Sequence, residues 1–150
     1  MRVAGADDWG FIAELGRRSL DASGSALRPA PMAGLAASFD RLFEFVRRSA
    51  HFGLLAQSDF DGPLGFALAL TDLPDEVSGL PQAFLAYMAV EAHAQHRGIG
   101  TRLLAATEAE ARARGLPALA LMVTEDNLAA RALYARAGFA TERRLLCKPL

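Results

Sequence analysis

Two short stretches carry residue types whose spacing can do chemistry. In the first, an apolar run from Phe84 to Val90 is followed by Glu91-Ala-His93-Ala-Gln95-His96-Arg97-Gly98-Ile99-Gly100-Thr101. Leu103, Leu104, Thr107 and Ala111 then recur at helical spacing. A strand therefore delivers the chain to the first turn of a helix, and that turn carries almost no side chain. Unpaired N–H groups and a partial positive charge make a helix N-terminus a phosphate site. Glycines at 98 and 100 remove the Cβ atoms that would hold a phosphate away. A bare Gly-x-Gly serves a tight turn equally well. The second stretch, Asn127-Leu-Ala-Ala130-Arg-Ala-Leu-Tyr134-Ala-Arg-Ala-Gly138-Phe139, sets a phenol seven residues after an amide. Singly, these residues are an N-cap, a core aromatic and a helix-ending glycine. Together, downstream of the Gly-x-Gly helix, they point to function.

Two other phosphate loops fit the first stretch less well. There is no Gly-Lys-Ser/Thr, which excludes a P-loop. A dinucleotide fingerprint would place a third glycine near position 103, which is Leu. Thr124-Glu125 can still pass for its acidic residue, so a dinucleotide-binding protein stays as a weaker alternative.

The spacing from Val90 through Gln95-His96-Arg97-Gly98-Ile99-Gly100 resembles the acyl-CoA pyrophosphate loop of the GCN5-related N-acetyltransferase (GNAT) family. The segment Asn127 to Phe139 resembles that family's Asn-x-x-Ala-x-x-x-Tyr-x-x-x-Gly-Phe pattern at every position. The resemblance implies acetyl-CoA as co-substrate and transfer of its acetyl group to a primary amine by direct attack. It implies a cofactor wall of Met88, Ala89, Val90, Gln95, His96, Arg97, Gly98, Ile99, Gly100, Thr101, Asn127, Ala130 and Tyr134. Asn127 would bond the pantetheine arm, Tyr134 would lie beside the thioester sulfur, and a backbone N–H near Val90 would serve the oxyanion. Relatives also splay the fourth and fifth strands so that pantetheine adds between them. A phenol suits the departing thiolate, because thiols titrate near ~8.5 and phenols near ~10.

The general base departs from one branch of the family, which places a glutamate in the fourth strand. The matching position is Phe84, and alternation puts Ala86 and Met88 on its face. The catalytic candidates are therefore Tyr134, Glu91 and His93, with Tyr87 as a further hydroxyl. Imidazole is the side chain that ordinarily titrates near neutrality, although a lone loop histidine is commonly just solvated. Cys147, beyond both motifs, is not read as a nucleophile, and no metal site is expected. A non-catalytic acyl-CoA-binding module is the reading from another class, and the apolar strand position is its best argument.

These residues need a frame to position them. Asp7 or Asp8 should cap a helix over about Asp8–Asp21, with Phe11, Ile12, Leu15 and Leu20 as its stripe. A second helix spans about Met32–Ser49 through Leu35, Phe39, Leu42, Phe43 and Val46. Strands are expected over His51–Gln57 and Leu64–Thr71, joined at Asp61-Gly62. Asp72, Asp75 and Glu76 lie in the next loop, either guiding a cationic substrate or forming a solvated turn. The strand Ala83–Val90, a helix over Ile99–Arg114, a strand over Ala118–Val123, a helix over Leu128–Ala137 and a last strand from Phe139 to about Lys148 complete the chain. A very short edge strand at Arg2–Ala4 opens it. The fold class is α/β (α+β), order β-α-α-β-β-β-α-β-α-β: a mixed, mostly antiparallel central sheet flanked by helices.

The 150 residues suit one domain, and 52% hydrophobic content supports burial of roughly 68–70% of the unfolded chain's surface. A net charge of −1 argues against a nucleic-acid partner and mildly against a polycationic one. One cysteine and no signal peptide point to the cytoplasm. No apolar run approaches the ~20 residues that cross a bilayer. The expected partner is a small-molecule or peptide amine, and assembly is open, with a homodimer as one option.

Overall fold

The computed structural model describes residues 1–150, the side chains of Ala22 and Ser23 excepted. Its elements are β1 (Arg2–Val3), α1 (Trp9–Arg18), α2 (Met32–Arg48), β2 (His51–Ser58), β3 (Gly62–Leu70), β4 (Ala83–Val90), α3 (Ile99–Ala113), β5 (Leu119–Leu121) and α4 (Leu128–Arg136). The five strands form one sheet in sequence order. Pairings from β1 to β4 are antiparallel, and only β4 with β5 is parallel. None of the described helices is long and apolar enough to cross a membrane.

The sheet is buried on both faces. On β3, every residue from Leu64 to Leu70 is buried, as an unbroken apolar run requires when helices cover both sides. Phe66, Leu68 and Leu70 pack with Ile12, Leu15, Phe39, Phe43 and Val46 of α1 and α2. Ala67 and Ala69 face the opposite way, against Ile99, Leu103, Leu104 and Ala111 of α3. The two N-terminal helices cross closely because Gly16 has no side chain: a Cβ there would lie 2.0 Å from Phe39 Cζ.

Several expectations need correction. The first helix stops at Arg18 and gives way to a 3-10 turn over Leu20–Ser23. Asp8 does not cap it. Its carboxylate accepts from the Gly5 N–H (2.7 Å) and both Arg2 guanidinium nitrogens (2.6 and 2.7 Å), and the Arg2 contacts hold it below the usual carboxylate range. β5 keeps three of the six expected residues. The last strand, from Phe139 to about Lys148, does not form; residues 139–150 hold neither helix nor strand. Thr141-Glu142-Arg143-Arg144 places four polar residues in succession where a half-buried strand would alternate. Arg143 instead pairs with Asp75 at 2.5 Å. Asp75 also accepts from the Ser78 hydroxyl and N–H, which with Arg143 holds its carboxyl far below its ordinary range. Asp72 accepts from the Ala50 N–H. Asp72 and Asp75 thus anchor chain segments.

Candidate functional site

The site begins where the sheet fails to close. β5 pairs with β4 only at Ala83, Phe84 and Leu85. Beyond Leu85, β4 runs on with β3 on one edge and an open cleft on the other. At the branching point β4 carries a bulge: Ala69 pairs with Leu85 and Leu68 with Tyr87, leaving Ala86 extra. The extra residue reverses the strand's parity, since consecutive residues turn their N–H and C=O to opposite edges. The Ala83 N–H donates towards β5, to the Ala118 carbonyl, while the Glu91 N–H donates towards β3, to the Leu64 carbonyl. Met88 and Val90 therefore turn their backbone groups into the cleft. Gln95 Nε2 reaches the Val90 carbonyl at 3.4 Å from that side.

The bulge also corrects the expected face. Phe84 and Ala86 pack towards α1 and α2 together with Tyr87. Met88 lies on the other face with Leu85 and Val90, towards α3. A single inserted residue separated Met88 from the positions whose face it was expected to share.

The cleft holds a cavity of about 500 Å³. Met88, Ala89, Val90, Gln95, Asn127, Ala130 and Tyr134 line it. His96, Arg97, Gly98, Ile99, Gly100 and Thr101 do not; they form the turn into α3. In that turn His96 has φ 60° and Gly98 φ 74°. Gly98 needs its lack of a side chain for this left-handed backbone, and a Cβ there would meet open space. Gly100 has a separate packing reason, because a Cβ would lie 3.2 Å from Leu133 Cδ2 of α4. Among the described residues no side chain caps α3, and its first turn holds no acidic residue. Arg97 and Arg102 are exposed beside it.

On α4, Asn127 Oδ1 accepts from the Ala130 N–H at 3.1 Å, which selects Asn127 over Asp126 as the cap. Tyr134 sits two turns on, its ring edge-on to Phe139 with centroids 5.7 Å apart. Its hydroxyl has no hydrogen-bond partner among the described residues. Burial pushes its pKa above the ordinary phenol value, so it stays protonated through neutral pH.

The opposite wall joins Tyr87, read from the sequence as a further hydroxyl, to residues that carried no motif. Arg18, Ser19 and Asp21 line the cavity from the end of α1, with Tyr87 from β4. The Tyr87 ring packs on Phe39 and Phe66, with centroids 5.0 and 6.1 Å away. Its hydroxyl lies 3.3 Å from Ser19 Oγ and donates to the Gly16 carbonyl at 3.4 Å. Met122, Val123 and Thr124 complete the lining where β5 ends. Met122 and Val123 were signalled only by the apolar run that outlasts the strand, and Thr124 only as part of the Thr124-Glu125 pair. For Arg18, Ser19 and Asp21 no local signal existed.

Two catalytic candidates stand differently from expectation. Glu91 is engaged in a two-point ion pair with Arg18, at 2.8 and 3.0 Å, and does not line the cavity. His93 is exposed on the 3-10 turn Ala92–Ala94, also outside the lining.

Residues 22–139 match the model of the acetyltransferase (GNAT) family. No curated protein matches the chain. Among solved structures, a Pyrococcus furiosus protein assigned as an acetyl transferase is 24% identical, with a TM-score of 0.82 over 99% of each chain. A GCN5-related N-acetyltransferase from Ralstonia eutropha JMP134 is 22% identical, with a TM-score of 0.76 over 99% of this chain and 96% of that one. AAC(6')-Iy, solved with the bisubstrate analogue CoA-S-monomethyl-acetylneamine, is 18% identical, with a TM-score of 0.69 over 99% of this chain and 95% of that one. At these identities the structural likeness speaks for the fold.

Proposed function

The chain belongs to the acetyltransferase (GNAT) family, and from that premise we propose that residues 1–150 form one N-acetyltransferase domain, which moves an acetyl group from acetyl-CoA to a primary amine. One observation carries the reading. The edge of β4 at Met88–Val90, which pairs with no strand on the cleft side, and the Tyr134 hydroxyl, which has no partner among the described residues, line the same cavity.

Each wall has a task. The uncapped N–H groups of Ile99, Gly100 and Thr101 receive the pyrophosphate, with Arg97 adding positive charge at the surface. The Met88 and Val90 backbone offers strand-like hydrogen bonds to the pantetheine amides, and Asn127 and Ala130 line its path. The amine attacks the thioester carbonyl, and a backbone N–H at the end of β4 stabilises the resulting oxyanion. The C–S bond breaks as the carbonyl re-forms; the attacking nitrogen gives its surplus proton to solvent, and protonated Tyr134 supplies a hydrogen bond or a proton to the thiolate, regaining any proton it gives from solvent. No covalent enzyme intermediate is needed, and Cys147 takes no part.

Calorimetry with acetyl-CoA and with NADH tests the donor; NADH binding without acetyl-CoA binding would favour the dinucleotide reading. A specific observation favours a non-catalytic acyl-CoA-binding module: Glu91 is committed to Arg18, and Phe84 is apolar. Steady-state release of free CoA across an amine library separates enzyme from binding module and identifies the acceptor class.

A further inference from the structure

The cavity's acceptor end has a charge that the acetyl-transfer chemistry does not use. Four titratable side chains line the cavity: Arg18, Asp21, Tyr87 and Tyr134. Tyr134 lies on the α4 side and packs against the α3 face of the sheet. Tyr87 is held by the Gly16 carbonyl and Ser19. Arg18 is shared between Glu91, at 2.8 and 3.0 Å, and Glu14, at 3.7 Å, so its charge is already answered. Asp21 is different. Its carboxylate is exposed and makes no hydrogen bond or ion pair with any described residue.

The chain holds Asp21 in place. Leu20, its neighbour, is 3% exposed in the core under α1 and α2. A few residues on, the Ala26 N–H donates to Asp126 Oδ2 at 2.9 Å, tying the loop across to the segment between β5 and α4. Glu14 and Glu91 answer Arg18 from outside the lining, which leaves the Asp21 carboxylate as the lining charge with no ion-pair partner among the described residues.

We propose that Asp21 anchors a second cationic group of the acceptor, so that this site takes small diamines and related polycationic amines in preference to monoamines. The proposal rests on the acetyl-transfer reading above and adds the acceptor class to it. The anchored group is not the reacting amine. A carboxylate beside an ammonium favours its charged form and would oppose the deprotonation that attack requires. Asp21 and Tyr134 stand on opposite faces of the sheet, joined by the cavity. A molecule bound to Asp21 by one ammonium can present its other amine to the β4 edge, among Leu85, Met88 and Met122. That apolar stretch favours the neutral amine. The cavity volume of about 500 Å³ is of small-ligand size.

The test uses the full chain at saturating acetyl-CoA, with butane-1,4-diamine, pentane-1,5-diamine and butylamine as probes. Wild type should show a kcat/KM for the better diamine at least about fivefold above butylamine, the range of one partly screened ion pair. Asp21→Asn should raise the diamine KM roughly five- to tenfold, with the effect in KM rather than kcat, and the preference should collapse. Asp21→Glu should restore most of it, a rescue that a merely structural role would not give. Added salt should raise the wild-type diamine KM and have little influence on that of Asp21→Asn. Equal kcat/KM for diamines and butylamine in wild type overturns the proposal, as does an Asp21→Asn effect confined to kcat. Acetyl-CoA binding with turnover of butylamine but of neither diamine overturns it while leaving acetyl transfer intact. Absence of acetyl-CoA binding defeats the underlying reading itself.

Discussion

The two halves of β4 share one strand and have opposite fates. Ala83–Leu85 pairs with β5, and Phe84 and Leu85 pair with β3 on the other edge as well, so this half belongs to the sheet's interior. Met88–Val90 pairs with no strand but β3, and on its other edge only Gln95 Nε2 reaches the Val90 carbonyl, at 3.4 Å, among the described residues. Between them the extra residue Ala86 turns the backbone of Met88 and Val90 outwards. Backbone N–H and C=O groups must find partners when water is excluded. The first half finds them within the sheet, and the second offers them to a ligand. A short β5 and one bulge therefore suffice to turn a structural strand into a binding edge.

The strongest way to break this contrast is to spoil the ligand's anchorage without touching β4. Gly100→Asp places a carboxylate among the first N–H groups of α3, where the pyrophosphate should sit. Acetyl-CoA affinity should fall more than about a hundredfold by calorimetry. Gly100→Ala is the control. Its Cβ asks only that Leu133 give by a few tenths of an ångström from a 3.2 Å approach, so most affinity should survive. Equal losses in both variants would move the cause from charge to α3–α4 packing, and unchanged affinity in Gly100→Asp would remove the loop from the site.

This turn and the Asn127–Phe139 segment could be read because their geometry is local: a left-handed glycine, a capping amide and a helical repeat all lie within a few residues of one another. The acceptor wall could not. Arg18 meets Glu91 across 73 residues of chain, and nothing near either announces the other. Most of the helices and strands followed from periodicity, with β4 matched at both ends and other ends off by at most three residues. The face of Met88 was misread because period-2 alternation has no mark for one inserted residue. The last strand, expected from Phe139 to about Lys148, was misread because its polar residues Thr141 to Arg144 do not alternate with apolar ones, and Arg143 is drawn to Asp75 instead.

Tyr134→Phe sharpens the comparison from the opposite wall of the cleft. It keeps the ring on Phe139 and removes only the unpartnered hydroxyl. If that hydroxyl assists thiolate departure, kcat should drop roughly ten- to a thousandfold while the acetyl-CoA Kd barely moves. Wild-type turnover would return Tyr134 to a packing role.

Gly16→Ala probes the acceptor side through packing. Alanine gains about 1 kcal/mol over glycine in helix propensity. The added Cβ meets Phe39 Cζ at 2.0 Å, and overpacking of that kind costs about 1–3 kcal/mol or more. The clash should win, lowering stability in a denaturant titration. The Gly16 carbonyl also receives the Ser19 and Tyr87 hydroxyls, so the acceptor KM should rise while acetyl-CoA binding, on the other wall, is spared. A variant more stable than wild type would show that α1 and α2 are not held by this close approach.

The smallest effects are expected at the two expected bases. An alkyl ammonium titrates near ~10.4 and must lose its proton before or during attack. No carboxylate stands on the cleft face of β4, Glu91 is bound to Arg18, and exposed His93 does not line the cavity. The apolar lining itself favours the neutral amine, because desolvation disfavours charge. Glu91→Gln and His93→Ala should each cost less than about tenfold in kcat/KM, below the usual contribution of a committed general base. Activity should climb with pH along the acceptor's own ionisation. Tyr134, its pKa raised by burial above the ordinary phenol value, keeps its proton through neutral pH, so its donor role sets no descending limb near neutrality. The measurement is kcat/KM against pH for wild type and both variants. A wild-type limb near neutral pH that vanishes in one variant alone would identify that residue as the base and end the claim that solvation of the amine does the work.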